Sequence, residues 1–249
     1  MKTILILGGT SAVAVAYARL AALDGHNIHL VGRNKDVLAA NATDLDARGS
    51  GEVTLSVMDL GHTDHVADGW TKLLAKTPEV DHVLIAYGVL GDQSETQSDV
   101  ASLSQNLAVN FNSAAMWAEL AFSHFQSRGE GQITVIGSVA GDRGRQSNYH
   151  YGAAKGALDV FMSGMAHRAA KTVEADIGVT LVKPGFIDTP MTDGMDKSGP
   201  LWASRETIAK IIRKAERRGR TKVYAPWFWR FILLIIRLLP FPIFKRSSL

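Results

Sequence analysis

Tyr151 and Lys155 stand four residues apart in Tyr149-His150-Tyr151-Gly152-Ala153-Ala154-Lys155, so on a helix both side chains project from one face. A free phenol, with a pKa of ~10, is a modest acid and a poor base near neutrality. A nearby ammonium stabilises the phenolate and lowers that pKa, which makes the tyrosine a usable general acid–base. Tyr149 lacks this spacing and reads as a packing or substrate-lining residue. Ser138, in Ile136-Gly137-Ser138-Val139-Ala140-Gly141, follows an apolar run, where its hydroxyl could orient a substrate oxygen. His62 and His65 have the spacing of a metal pair without a nearby third ligand, and read as exposed helix-start residues; no metal is expected. The chain has no cysteine, which excludes disulfides, thiolate catalysis and Cys-bound zinc.

Positioning such groups requires strands and helices in alternation, and the sequence has that rhythm. Strands are expected at Thr3–Leu7, 27–31, Val53–Val57, 82–86, 132–136, 179–182 and 222–224. Ala- and Leu-rich helical stretches fall at Ala12–Leu23, 35–48, 62–76, 100–127, 151–171 and 204–217. Strands apolar on both faces, each followed by a helix, imply an α/β fold: a single-domain, Rossmann-type, doubly wound parallel sheet with helices on both faces. Ligands then bind at the carboxyl ends of the strands. The 249 residues suit one such domain, residues 1–225, followed by a hydrophobic, basic tail, 226–249. A net charge of +3 is too small to argue for nucleic acid. With no secretory signal and no cysteine, a cytoplasmic location is expected.

After the first strand, Gly8-Gly9-Thr10-Ser11-Ala12-Val13-Ala14 opens a helix whose amides can face a pyrophosphate. An ordinary βα turn would look much the same. At the end of the second strand, Val31-Gly32-Arg33-Asn34-Lys35 offers no acid to the ribose hydroxyls of NAD(H). Arg33, with Lys35, offers a cation to a 2′-phosphate instead, so NADP(H) is expected over NAD(H).

Taken in order from Gly8 to about Thr221, these segments resemble the short-chain dehydrogenase/reductase family. The Tyr151–Lys155 pair with Ser138 upstream fits that family's pattern in spacing and context. The resemblance implies a reductase or dehydrogenase in which Tyr151 exchanges the proton, Ser138 holds the substrate oxygen, and Lys155 also binds the nicotinamide ribose. Asn110, in Leu107-Ala108-Val109-Asn110-Phe111, matches the family's asparagine that holds a water for proton relay. Asp59 and Leu60 match the adenine contact, and Gly8, Thr10, Ser11, Ala12 and Val13 form the pyrophosphate loop. Ala86, Tyr87 and Gly88 occupy the family's Asn-Ala-Gly segment after strand four. Pro184 and Gly185 match the stretch near the nicotinamide, with Ile187 and Thr189 at its carboxamide. Two positions depart from the pattern: Ala12 and Ala14 stand where the family has glycines, and each adds a methyl that could crowd either the pyrophosphate or the helix–strand contact. The family also implies a homo-oligomer built on helix faces; Met116, Trp117 and Phe122 read as either core or such helix-to-helix subunit packing.

The tail, Ala225-Pro226-Trp227-Phe228-Trp229-Arg230-Phe231-Ile232-Leu233-Leu234-Ile235-Ile236-Arg237-Leu238-Leu239-Pro240, is interrupted by arginines and prolines and does not suit a membrane span. It suits either a helix lying in a membrane interface or a face packed over the cleft or a subunit. Gly8-Gly9-Thr10-Ser11, the segment 85–93 and this tail resemble the decaprenylphosphoryl-2-keto-ribose reductase branch of the family. That resemblance implies a lipid-linked keto-sugar as substrate and peripheral contact with the membrane; a soluble or lipid ketone, or an NADP-binding scaffold without turnover, are the alternatives. The segment 189–202, rich in Gly, Pro, Met and Asp, is expected to be a substrate lid.

Overall fold

The computed structural model describes residues 1–246. β1 (Thr3–Leu7) leads to α1 (Ala12–Leu23), β2 (Asn27–Gly32) to α2 (Lys35–Asp46), and β3 (Val53–Val57) to α3 (Val66–Lys76). β4 (His82–Ile85) is followed by the short helices α4 (Gln93–Ser98) and α5 (Val100–Leu107), then by the longer α6 (Ser113–Arg128). β5 (Glu130–Ile136) precedes α7 (Tyr149–Lys171). β6 (Asp176–Pro184) runs into β7 (Phe186–Asp188), which pairs with β8 (Trp202–Ser204). Then come α8 (Arg205–Arg217), β9 (Lys222–Ala225), α9 (Trp229–Leu238) and α10 (Phe241–Phe244).

Seven strands form one parallel sheet in the order β3-β2-β1-β4-β5-β6-β9. Alternate residues of β1 show why its strands are apolar throughout. Leu5 and Leu7 pack with Trp70, Trp117, Phe122 and Leu158 on one face. Ile4 and Ile6 pack with Tyr17, Leu30, Ile208 and Ile212 on the other. The fold is the expected Rossmann-type doubly wound sheet. The chain's direction of travel across the sheet reverses between β1 and β4, and the crevice opens there, at the strands' carboxyl ends.

The expected helix over 100–127 is not continuous. A π-helical turn, Ala108–Asn112, separates α5 from α6. Within it the Asn110 Nδ2 donates to the Asn106 carbonyl at 3.0 Å, in competition with the regular backbone ladder. A periodic apolar pattern cannot reveal such a turn. Trp117 and Phe122 are core residues, while Met116 is exposed.

A third apolar cluster involves the C-terminal segment. Trp229, Leu233 and Ile236 of α9 are buried with Val139, against Phe186 and Tyr224. The inner face of α9 therefore packs on the domain. Residues 247–249 of the tail expectation lie outside the described residues. Among the described residues, no helix is long and apolar enough to cross a membrane.

Candidate active site

Backbone geometry at the end of β1 explains the first glycine. Gly8 has φ +100°, and a Cβ there would come within 2.9 Å of the Tyr87 amide nitrogen. The Gly8 and Gly9 amides both donate to the Val31 carbonyl, at 2.9 and 2.8 Å, which closes the turn against β2. Ala12 is the first residue of α1, and no residue other than glycine takes a positive φ among the described residues. The two alanines thus sit in unstrained helical backbone, with Ala14 buried in the core beneath the sheet. Ser11 at the N-cap makes no side-chain capping bond. The first-turn amides of α1 therefore have no internal side-chain acceptor from the cap, and they face the cleft.

The cleft is a cavity of about 350 Å³ and runs from this loop across the ends of β1, β4, β5 and β6. Its size falls within the range of small-molecule and cofactor sites. At one end stand Arg33, directly after β2, and Asp59, after β3. Their side chains approach to 3.9 Å, and Arg33 is mostly exposed, so its charge is available to a ligand. Asn34 caps α2 by accepting from the Asp36 and Val37 amides at 3.1 Å, which fixes Arg33 at the cleft mouth.

At the other end, Ser138, Tyr151 and Lys155 line the same cavity. Ser138 leaves β5 in extended backbone and accepts from the Ala140 amide at 3.1 Å. That bond occupies an oxygen lone pair and leaves the hydroxyl hydrogen to donate toward Tyr151 or a substrate oxygen. Tyr151 and Lys155 occupy the first two turns of α7, as their spacing requires. Gly141 and Gly152 let this helix lie directly on the Ser138 turn. A Cβ on Gly152 would sit 2.9 Å from the Ala140 carbonyl oxygen.

Lys155 is almost fully buried, and its ammonium donates to the Ile136 carbonyl at 3.2 Å. Burial lowers its pKa to about 8. Burial also raises the Tyr151 pKa, and the hydrogen bond with Ser138 offsets part of that rise. The expected lowering of Tyr151 by Lys155 is thus not the dominant effect. The lysine nitrogen lies 5.8 Å from the tyrosine ring centre and is directed at a backbone carbonyl, so desolvation outweighs the charge.

Asn110 does not line the cavity. It is fully buried one layer behind, where its Oδ1 accepts from the Val89 amide at 3.0 Å and its Nδ2 donates to the Val89 carbonyl at 2.8 Å. Gly88 separates it from Lys155: a Cβ there would meet Asn110 Oδ1 at 2.8 Å and Lys155 Nζ at 3.4 Å. The Ser138 turn is anchored from below. Asp142 and Asp159 pair with the buried Lys183, and the Tyr224 hydroxyl donates to Asp142 at 2.7 Å.

The short chain dehydrogenase family model matches residues 2–198. The chain belongs to the short-chain dehydrogenase/reductase family. An uncharacterized oxidoreductase of Mycobacterium tuberculosis is 31% identical over 245 residues, which cover 98% of this chain and 96% of that protein. A second uncharacterized oxidoreductase, of Streptomyces coelicolor, is 31% identical over 246 residues, covering 98% and 95%. The fold is shared with a short-chain dehydrogenase from Sphingobium yanoikuyae, solved in complex with NADPH, at a TM-score of 0.83 and 22% identity, covering 94% of this chain and 92% of that one. The chain is accordingly an oxidoreductase of a family that uses nicotinamide cofactors and acts on small molecules.

The cavity of this short-chain dehydrogenase brings together Gly8, Thr10, Ser11, Ala12, Val13, Arg33, Asp59 and Leu60 at the loop end. Ala86, Tyr87, Gly88, Pro184, Gly185, Ile187 and Thr189 continue the wall toward Ser138, Tyr151 and Lys155. Of the residues named from sequence for the cofactor, the substrate or the proton, Asn110, Lys35 and Tyr149 are not among those lining it. Tyr87 spends its hydroxyl on Ser113, at 2.9 Å, and presents its ring side to the cleft. Sequence reasoning missed Val89, Gln105 and Val109, which also line the cavity, Val109 beside Gly61 at the Asp59 end. Their apolar or neutral types carry no chemical signal, and Val109 reaches the cavity from within the π-turn. Met191 and Thr192 also line it, from within the segment expected to be a lid.

Proposed function

We propose that this protein is an NADP(H)-dependent carbonyl reductase in which Tyr151 is the general acid in reduction and the general base in the reverse direction. The observation that carries this reading is the convergence, in one cavity, of Ser138, Tyr151 and Lys155 with a glycine-turn helix N-terminus and a mostly exposed arginine at the far end. The residues fit a dinucleotide. The uncapped start of α1 suits a pyrophosphate, Arg33 a 2′-phosphate, Asp59 and Leu60 an adenine, and Pro184, Gly185, Ile187 and Thr189 a carboxamide ring. When bound, the nicotinamide supplies or accepts the hydride.

The chain's own groups manage the proton. Ser138 donates a hydrogen bond to the substrate oxygen and holds it against Tyr151. Tyr151, kept protonated by burial, donates its proton to that oxygen as charge develops there. Lys155 holds its ammonium behind the tyrosine, where it stabilises the phenolate left after transfer. Asn110, across Gly88 from Lys155, anchors the Val89 backbone and with a water returns the proton from solvent.

Two features support a lipid-linked keto-sugar as substrate: the apolar α9 packed beside Gly185 at the cleft wall, and the resemblance of the loop, the segment 85–93 and the tail to the keto-ribose reductase branch. On this reading the enzyme works in the cytoplasm on a substrate held at the membrane's inner face. Exposed Met116 on α6 and Val160 on α7 offer contacts for a homo-oligomer. The test is Tyr151→Phe, assayed for NADPH binding by fluorescence and for NADPH oxidation with a panel of keto-sugars and ketones. Binding persists and turnover falls by about a hundredfold or more. Undiminished turnover refutes the role of Tyr151, and cofactor binding without turnover by the wild type on any substrate favours a scaffold.

A further inference from the structure

The helix α9 is apolar around most of its circumference, but only half of that surface is used. Trp229, Leu233 and Ile236 face inward and are buried against Val139, Phe186 and Tyr224. Phe231, Leu234, Ile235 and Leu238 recur at i, i+3, i+4 and i+7 on the opposite side, exposed by 52–74%. Trp227, Phe241 and Ile243 extend this outer stripe at both ends and are also exposed. Scattered exposed apolar residues need no explanation, but a contiguous stripe of seven does.

Charge indicates what covers it. Glu216 is the last acidic residue of the chain, and eight Lys or Arg residues follow it: Arg217, Arg218, Arg220, Lys222, Arg230, Arg237, Lys245 and Arg246. Arg230 and Arg237 are seven apart, so they share one edge of the outer stripe; they and Lys245 and Arg246 beyond its end are exposed. A second copy meeting this face about a two-fold axis would set cations against cations. An anionic headgroup layer meets the cations while its acyl region takes the aromatic and aliphatic side chains. At ten residues, α9 is far too short to span a bilayer.

We propose that the outer face of α9 and α10 docks on an anionic lipid surface and thereby presents the reductase cleft to the bilayer. The inner face makes that presentation rigid. The Trp229 indole lies against Gly185, a cavity-lining residue at which any side chain would collide with the ring. Arg143, five residues after Ser138, donates to the Ile236 and Leu239 carbonyls at the end of α9 and stacks on Phe244 at 3.8 Å. The docking surface and two walls of the cleft are therefore one packed unit. The consequence for substrate delivery rests on the carbonyl reductase reading, whereas the docking itself does not.

Vesicle flotation of the full-length chain tests this, with phosphatidylglycerol-containing vesicles against pure phosphatidylcholine. Wild type floats with the anionic vesicles, and binding is weaker by about tenfold or more on phosphatidylcholine or in high salt. Ile235→Glu/Leu238→Glu loses flotation by a similar factor while keeping its melting temperature, because both side chains are exposed. Arg230→Gln/Lys245→Gln gives an independent measure of the electrostatic part, and Tyr151→Phe floats like wild type whatever its activity. Flotation of the double glutamate variant equal to wild type overturns the proposal. So does a wild type that fails to float with the anionic vesicles; a molar mass by light scattering that halves in the double glutamate variant would then assign the face to a second copy.

Discussion

Lys155 is expected to cost the fold stability at neutral pH, and replacing it should show how much. Its ammonium is buried with no carboxylate beside it among the described residues, and desolvation lowers its pKa from 10.5 to about 8. At ~1.4 kcal/mol per pKa unit, holding the charged form inside the folded protein at pH 7 costs about 3 kcal/mol. Lys155→Met keeps the length of the side chain and removes the charge. It also removes the hydrogen bond to the Ile136 carbonyl, a loss of about 1 kcal/mol. The variant should therefore be more stable at pH 7 by about 2 kcal/mol, or roughly 4–8 °C in Tm for a chain of this size. The sign of the pH dependence follows from the lowered folded-state pKa. Between pH 8 and 10.5 the unfolded lysine keeps a proton that the folded one has lost, so wild-type stability rises with pH through that window. The advantage of the methionine variant should shrink in parallel and vanish near pH 10. Urea unfolding of both proteins at pH 7, 8.5 and 9.5 measures it, with turnover recorded in the same preparations. A methionine variant that is less stable than wild type at pH 7, or an advantage that does not change with pH, would refute the claim that the charge is held uncompensated.

Two other outcomes follow from groups at opposite ends of the sheet. Arg33→Ala should lower kcat/KM for NADPH by about tenfold to a hundredfold and leave that for NADH nearly unchanged, since a charge-assisted phosphate contact is lost; equal losses with both cofactors would remove Arg33 as the discriminating residue. Glu216, buried where it accepts from Tyr17 at 3.0 Å and Thr134 at 2.8 Å, has its pKa pushed up to about 7 by burial. Its contribution is full below pH 4.5 and is lost as pH rises through 7. Glu216→Gln should flatten that decline and be the more stable protein at pH 8, by about 2 kcal/mol; parallel unfolding free energies of the two proteins from pH 5 to 8 would contradict it.

How much of this was legible in the sequence depended on what each residue had to do. The strands of the sheet, buried on both faces, announced themselves as short apolar runs, and Tyr151 and Lys155 were visible because helical spacing is a local property. Gly8 was legible for the same reason, as a strand-end turn. The π-turn at Asn110 was not, because it depends on a side-chain bond to Asn106 and on the Val89 backbone 21 residues away. The direction of the Tyr151 pKa was also hidden. Spacing shows that an ammonium is near but says nothing of how dry the site is or that the ammonium is directed at Ile136. The tail posed a choice between packing and an interface that composition could not make, because an all-round apolar helix supports both.

That choice dissolves once the two sides of α9 are separated, and the separation changes how the tail should be perturbed. Removing residues beyond 225 would strip Trp229 from Gly185 and the α9 carbonyls from Arg143 as well as deleting the outer stripe. Loss of activity after such a truncation would therefore say nothing about lipid. Val139 stands next to Ser138 and loses its apolar cover in the same cut, so the turn that aims the serine would relax. Point changes on the outer stripe leave these contacts in place. Inner-face changes such as Trp229→Ala should instead alter turnover in solution, through the Gly185 wall, with lipid docking largely kept. The face that supports the cleft wall and the proposed docking face thus share one helix but answer to different residues on it, and that division makes each role separately measurable.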